Sequence, residues 1–232
     1  QLNFSLQDIF NECIPMGVWD IVSVERDTNG IVKIKGYDHL NRLNVPITDN
    51  TIGAIYMKSA LKQVSRDAKV EFAQTIEELQ EIFGEAIQSF ASSFYSSCWD
   101  EVKAIAQFLG CFVFANREGK IEFRNFSSTP VLDIPAEKRF STKISDYQYS
   151  VKGISYTDDF GQTVTYAGSN GSCILGFSEN KYIWSTEKNP ETAYYNDLKR
   201  IAYNVGCYQN PAIDTKWSPG EIEYYGNPAL DV

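Results

Sequence analysis

The sequence contains a single histidine, His39, and little else from which metal or nucleophile chemistry is built. A Cys-His or Ser-His-Asp arrangement would have to recruit that residue. No Gly-x-Ser-x-Gly elbow accompanies it, and no cysteine stands in a recognised nucleophile context, so His39 reads as a structural or surface residue. Zinc sites need several Cys or His ligands at close spacing. The five cysteines, Cys13, Cys98, Cys111, Cys173 and Cys207, are odd in number, widely spaced and without a C-x-x-C pair. In a chain of 232 residues this reads as buried free thiols in a reducing compartment, consistent with assembly in a cytoplasm, rather than a disulfide framework. No catalytic, cofactor-binding or metal-binding residue is assigned, no cofactor is expected, and the chain is read as no enzyme.

Long apolar runs are also missing. No stretch approaches the roughly 18 residues that span a bilayer, and the opening Gln1-Leu2-Asn3-Phe4 lacks the basic start and apolar core of a signal peptide. No membrane segment is expected. Positive charge is scarce, with 21 Lys and Arg against 30 Asp and Glu and a formal net charge of -9. Affinity for phosphate depends on clustered Lys and Arg, and clusters such as Glu137-Lys138-Arg139 are interrupted by acids, which argues against specific nucleic-acid binding. An acidic surface suits a passage through which DNA slides without sticking.

What is present is ordinary for a folded chain: 43% hydrophobic and 22% charged residues, with a mean hydropathy of -0.30. A chain of this length hides about 70% of its extended surface, enough for two or three compact units. Aromatic residues occur in short runs such as Phe112-Val113-Phe114 and Tyr147-Gln148-Tyr149, which suit half-buried strands.

Strand-like alternation from Val18 to Tyr37 is split by Asp27-Thr28-Asn29-Gly30, which predicts a hairpin. Gly36 to Leu43 leaves the sheet through one helical turn. Met57 to Ala68 carries apolar Ala60, Leu61 and Val64 at helical spacing, and Val70-Glu71-Phe72 is a candidate short strand. Thr75-Ile76-Glu77-Glu78 has the form of a capping box, with Ile76, Leu79 and Phe83 on one face behind it. Ser97-Cys98-Trp99-Asp100 opens a further helix with Val102, Ile105, Ala106 and Leu109 as its buried stripe and Gly110 as its stop. Phe112–Ala115, the turn Asn116-Arg117-Glu118-Gly119 and Lys120–Phe126 then predict a second hairpin.

After Pro130 the texture is β, with strands expected near Tyr147–Tyr156, Thr163–Tyr166 and Cys173–Phe177. One helix interrupts them, capped by Asn189 with Pro190 in its first turn, and closed by Ile201, Val205 and Gly206. The ends of two helices share the frame Ile-Ala-x-x-(Leu/Val)-Gly-Cys, at Ile105–Cys111 and Ile201–Cys207. This is read as two amphipathic helices stopped by glycine over a small thiol, since seven residues do not establish a repeat. With no initiating Met and a final Gly226–Val232 segment that has no partner strand, the chain reads as a piece of a longer polypeptide.

Weaker chemical signals have ordinary explanations. Asp158-Asp159 beside Gly161 and Asp27-Thr28-Asn29-Gly30 lack the long alternating pattern of a calcium loop and read as turns. Gly168-Ser169-Asn170-Gly171 lacks the lysine and spacing of a phosphate loop. Glu221, Glu223, Asp197 and Asp214 would serve a glycosidase only if two of them faced each other across a cleft, which spacing in sequence does not establish.

Several stretches, in matching order, resemble the tail-hub family of prophages of Gram-positive bacteria, related in architecture to contractile-tail baseplate hubs and type VI secretion spike proteins. They are Ile34-Lys35-Gly36-Tyr37-Asp38 with Leu40 and Leu43, then Ile105 to Phe112 continuing through Asn116 to Phe123, and finally Gly226-Asn227-Pro228-Ala229-Leu230. Asp146-Tyr147, Gly153-Ile154 and Gly171–Leu175 fit more loosely, and Ile87–Ser97 matches poorly. The family pattern includes β structure before the first hairpin and strands after the Gly-x-Pro-x-Leu stretch, both of which are read as missing here.

The resemblance implies an α+β fold, with β-barrel-like elements at both ends and a small α/β unit of helix, strand and strand between them. The expected segments are 1–47, the remainder of a first barrel-like domain, 48–130, the α/β middle domain, and 131–232, a second β-rich domain with one inserted helix. It implies a structural part of a phage tail tip or baseplate hub. That part is a trimeric ring joining tail tube to tip, in contact with other tail proteins, built in the host cytoplasm and carried in the virion tail. A carbohydrate- or cell-wall-binding module is the alternative, suggested by Trp184, Trp217 and Tyr224-Tyr225, and a cell-wall hydrolase is the second alternative.

Overall fold

The structure is a computed structural model that describes residues 2–7, 13–49, 51–125, 137, 139–144, 151–158, 160–167, 173–183, 194–205 and 220–224. It comprises two compact units, Gln1–Ala106 with Phe112–Arg124, and Gln107–Cys111 with Asn125–Val232.

The first unit begins with an antiparallel sheet in the order β1 (Leu2–Gln7), β2 (Cys13–Arg26) and β3 (Val32–Tyr37). β1 corrects the expectation that no strand precedes the first hairpin. It pairs with the first half of β2, from Leu2 opposite Trp19 to Gln7 opposite Cys13. Its sequence, Leu-Asn-Phe-Ser-Leu-Gln, has the strict alternation of a strand, and it lengthens β2 well before Val18. A 3-10 turn, His39–Leu43, follows β3, started by Asp38, whose carboxylate accepts from the Leu40 amide at 3.1 Å.

β4 (Ile52–Tyr56) leads into α1 (Met57–Ala68), whose buried Met57, Ala60, Leu61, Val64 and Ala68 fall on one helical stripe. α2 (Ile76–Phe83) has the expected capping box: Thr75 Oγ1 accepts from the Glu78 amide and the Glu78 carboxylate accepts from the Thr75 amide. β5 (Phe90–Ser93) then returns antiparallel to β4. α3 (Cys98–Leu109) starts at Ser97, whose hydroxyl accepts from the Asp100 amide at 3.1 Å. β6 (Cys111–Ala115) and β7 (Ile121–Asn125) form the second hairpin.

Segment Glu71–Gln74 closes the core of this unit against β7. The Ile121 amide donates to Glu71 O and the Ala73 amide to Ile121 O, both at 2.8 Å, while the Gln74 side chain holds both backbone groups of Phe123. Phe123, 1% exposed, stacks on Phe72 with ring centroids 5.8 Å apart. The candidate strand at Val70–Phe72 is thus a single parallel bridge, Phe72 to Ile121. Glu101 is fully buried, and its carboxylate accepts from the Tyr95 amide at 2.9 Å, supplying the polar partner that a buried acid requires.

The second unit holds β8 (Arg139–Ile144) antiparallel to β12 (Gly220–Tyr224), and a three-stranded sheet β10-β9-β11. In that sheet β9 (Val151–Thr157) lies antiparallel to β10 (Thr163–Ala167) and parallel to β11 (Cys173–Ser178). Tyr156 anchors its core: the hydroxyl donates to Ile183 O, and the ring meets Phe177 and Tyr194. α4 (Tyr195–Asn204) buries Leu198, Ile201 and Ala202.

α4 also finishes the preceding helix. The Arg200 guanidinium donates to Phe108 O at 2.6 Å and lies over the Phe108 ring at 4.3 Å, and the Asn204 side-chain Nδ2 donates to Leu109 O at 2.6 Å. The last carbonyls of α3, which have no partner within their own helix, find one there. Gly110 leaves α3 in the left-handed region at φ +72°, and a Cβ on it would stand 2.9 Å from Asn204 Cβ. The expected helix start at Asn189 and Pro190, and the Gly206-Cys207 end, lie outside the described residues.

The fold is therefore mixed α+β, with helices and many short strands in small sheets. Among the described residues the sheets have two or three strands and none closes into a barrel. No helix among them is long and apolar enough to cross a membrane.

Candidate assembly surface

Three hairpins turn by the same device. In the β2–β3 hairpin the Asp27 carboxylate accepts from the Asn29 and Ile31 amides, both at 2.9 Å, while the Asp27 amide donates to Ile31 O and the Gly30 amide to Asp27 O. Asn116 to Lys120 and Asp158 to Gln162 repeat these bonds, with Gly119 and Gly161 at φ +78° in the place of Gly30 at +81°. A short polar side chain fixes the turn, and a glycine supplies the positive φ of the bulge that follows it. Asp27 Oδ1 and Asp158 Oδ1 are thus each engaged by two amides of their own turn. No group of three or more His, Cys, Asp or Glu suited to a metal occurs among the described residues.

The two faces of the β2–β3 hairpin differ sharply. Register pairs Val24 with Ile34 and Arg26 with Val32, and Ile21 with Gly36 beyond an irregularity at Val22. Side chains opposite each other share a face, so Ile21, Val24, Val32 and Ile34 lie on one side with Arg26 at its end, while Asp20, Ser23, Glu25, Lys33, Lys35 and Tyr37 lie on the other. Lys35 Nζ sits 5.6 Å from the Tyr37 ring centroid on that polar side. Such a pattern belongs to a sheet with one covered face, yet every residue of β3 is exposed. The apolar residues are no exception: exposure is 60% at Val24, 57% at Val22, 58% at Ile31 and 45% at Ile34. Folded monomers rarely leave so continuous an apolar patch in water unless it meets something. The outer edge of β3 also has no strand beside it among the described residues.

The base of the hairpin is held firmly. Arg42 makes a two-pronged ion pair with Asp20, at 2.5 and 2.6 Å, and these bonds hold the Asp20 carboxyl below the usual carboxylate range against the effect of burial. His39 is buried and bonds through Nδ1 to Gly119 O at 2.5 Å, and Gly119 packs so closely that an added Cβ would stand 2.9 Å from the ring and 3.0 Å from Val18 Cβ. The only histidine thus joins the second hairpin's turn to the foot of the first, inside one unit.

The remaining candidates from the sequence are dispersed. Cys98 and Cys111 are in no disulfide, and burial pushes their thiols up to about 11 and about 12, with Asp67 and Glu101 adding to the effect at Cys98. Neither is a ready nucleophile at neutral pH. Asp197 is bound to Arg200 at 3.0 Å, Glu221 and Glu223 stand two positions apart on β12, and Asp214 lies outside the described residues. Gly168–Gly171, Asp159, Trp184, Trp217, Tyr225 and Gly226–Leu230 lie outside them too.

Two open grooves lie among the described residues. One of about 450 Å³ is lined by Tyr166, Asn196, Lys199, Arg200 and Tyr203, with Tyr195 packed edge-on against Tyr166 and Tyr203 61% exposed. Another of about 400 Å³ lies between α1 and α2, with Lys58, Lys62, Phe72 and Gln74 among its lining.

The hairpin is legible in the residue order, but its exposure is not. Val22, Val24, Val32 and Ile34 announce an apolar face, and nothing in the order of residues says whether another part of the chain covers it. Compared with models of protein families and with curated proteins, the sequence matches none.

Proposed function

We propose that this protein is a structural component of a phage or prophage tail tip or baseplate hub, acting by assembly rather than by reaction. The observation that carries the reading is the solvent-exposed apolar face of the β2–β3 hairpin, whose outer edge has no partner among the described residues and whose base is bonded through Asp20–Arg42 and His39. A surface of this kind is stable when another chain adds to it, and in a ring each subunit offers one to the next. The resemblance in Ile34–Leu43 and Ile105–Phe123 supports the same reading, and the net charge of -9 suits a lumen that passes DNA without holding it. Its partners are further copies in a homotrimeric ring and other tail proteins, and its place is the virion tail after assembly in the host cytoplasm. Measurement of solution mass tests this: a trimer supports the hub, and a strict monomer at high concentration overturns it.

A second reading, a carbohydrate- or cell-wall-binding module, draws on the Tyr166, Tyr195 and Tyr203 cluster beside Asn196 and Lys199, since exposed rings stack on sugars. It requires that purified cell-wall polysaccharide bind the protein and that Tyr203→Ala weaken the binding.

A further inference from the structure

β3 and β12 are both edge strands among the described residues, β3 bonded only to β2 and β12 only to β8. Their sequences are complementary. β3 reads Val32-Lys33-Ile34-Lys35-Gly36-Tyr37, with lysines alternating against apolar residues, and β12 reads Gly220-Glu221-Ile222-Glu223-Tyr224, with glutamates in the same alternation. Two β3 strands cannot pair well with each other. Antiparallel alignment that keeps the apolar residues on one face sets lysine against lysine or against an apolar residue, and like charges directly opposite repel.

We propose that a second copy of this chain covers the hairpin by adding its β12 antiparallel to the open edge of β3. This rests on the assembly reading above and names the contact that makes it. One register satisfies every position of β12: Val32 opposite Tyr224, Lys33 opposite Glu223, Ile34 opposite Ile222, Lys35 opposite Glu221, and Gly36 opposite Gly220. Both lysines then face glutamates. At the same register Ile222 and Tyr224 take positions opposite Ile34 and Val32, and the backbone groups of the two edges that are unpaired among the described residues are bonded. The contact uses different surfaces on the two copies, so it is head-to-tail and propagates from copy to copy until a ring closes.

Charge swaps in the full chain, read by sedimentation and light scattering over a range of concentrations, test the contact. Lys33→Glu with Lys35→Glu, and separately Glu221→Lys with Glu223→Lys, each weaken association at least about tenfold, because two opposite-charge pairs become like-charge pairs. The quadruple variant carrying all four swaps restores most of the association that either double variant loses, which a misfolded variant could not do; the shortfall reflects Lys33→Glu opposite Glu25 and Glu221→Lys opposite Lys143 within each chain. Wild-type assembly that neither double variant weakens, or that the quadruple variant fails to restore, overturns this contact while leaving the ring standing. A wild-type protein that never associates overturns both.

Discussion

Alanine substitution at Gly119 and at Gly30 separates what the turn demands from what its surroundings demand. The two glycines occupy the same place in the same kind of turn, at φ +78° and +81°. A left-handed alanine costs about 1–2 kcal/mol, partly offset by about 0.4–1 kcal/mol because alanine also restricts the unfolded chain. Nothing lies within 4 Å of a Cβ at Gly30, so Gly30→Ala is expected to cost about 1 kcal/mol. At Gly119 the added Cβ would stand 2.9 Å from two atoms of the His39 ring and 3.0 Å from Val18 Cβ. The ring cannot swing aside without giving up its bond to Gly119 O, and overpacking of this sort adds about 1–3 kcal/mol. Gly119→Ala is therefore expected to cost about 2–4 kcal/mol in urea unfolding. Made in a His39→Ala background, its cost should fall towards that of Gly30→Ala, the 3.0 Å approach to Val18 Cβ being what remains. Equal losses at the two glycines, or a Gly119→Ala loss that His39→Ala does not reduce, would refute the reasoning.

Arg200→Ala leaves the Phe108 carbonyl at the end of α3 without its donor and removes the cation from the Phe108 ring, a loss of about 2–4 kcal/mol measurable by thermal unfolding. Burial holds the Arg200 pKa below its usual value, with Asp197 opposing that, so Asp197→Ala should also destabilise, by a smaller amount. Asp20 and Arg42, both partly exposed, should show a coupling of about 0.5–1 kcal/mol in a double-mutant cycle at pH 7. Because the folded pKa of Asp20 lies below the unfolded 3.8, this contribution is present above that value and disappears as pH falls through the lowered one; a coupling that persists below it would be wrong. Cys98 and Cys111 should resist iodoacetamide at neutral pH in the folded protein, as peptide mass mapping would read, and react on unfolding.

Features fixed by near neighbours were legible in the residue order. The Thr75–Glu78 capping box, the Ser97 helix start and the left-handed stop at Gly110 each depend on contacts within a few positions, and each stands where its pattern lies. Pairings over long separations were not legible. β4 meets β5 across two helices, β8 meets β12 across most of the second unit, and β11 joins β9 in parallel, because these depend on which edges remain open after local structure has formed. The same limit governs the candidate surface. Alternation of Val24, Val32 and Ile34 with polar residues shows that a face exists, but exposure is a property of the assembled chain.

Amide hydrogen exchange across Val32–Tyr37, followed as protein concentration rises, reports directly on that face. Outward-facing amides of an open edge exchange with water until another strand bonds them. The account predicts that protection of β3 grows with concentration in step with solution mass. Rapid exchange of β3 at concentrations where the protein is fully associated would contradict it.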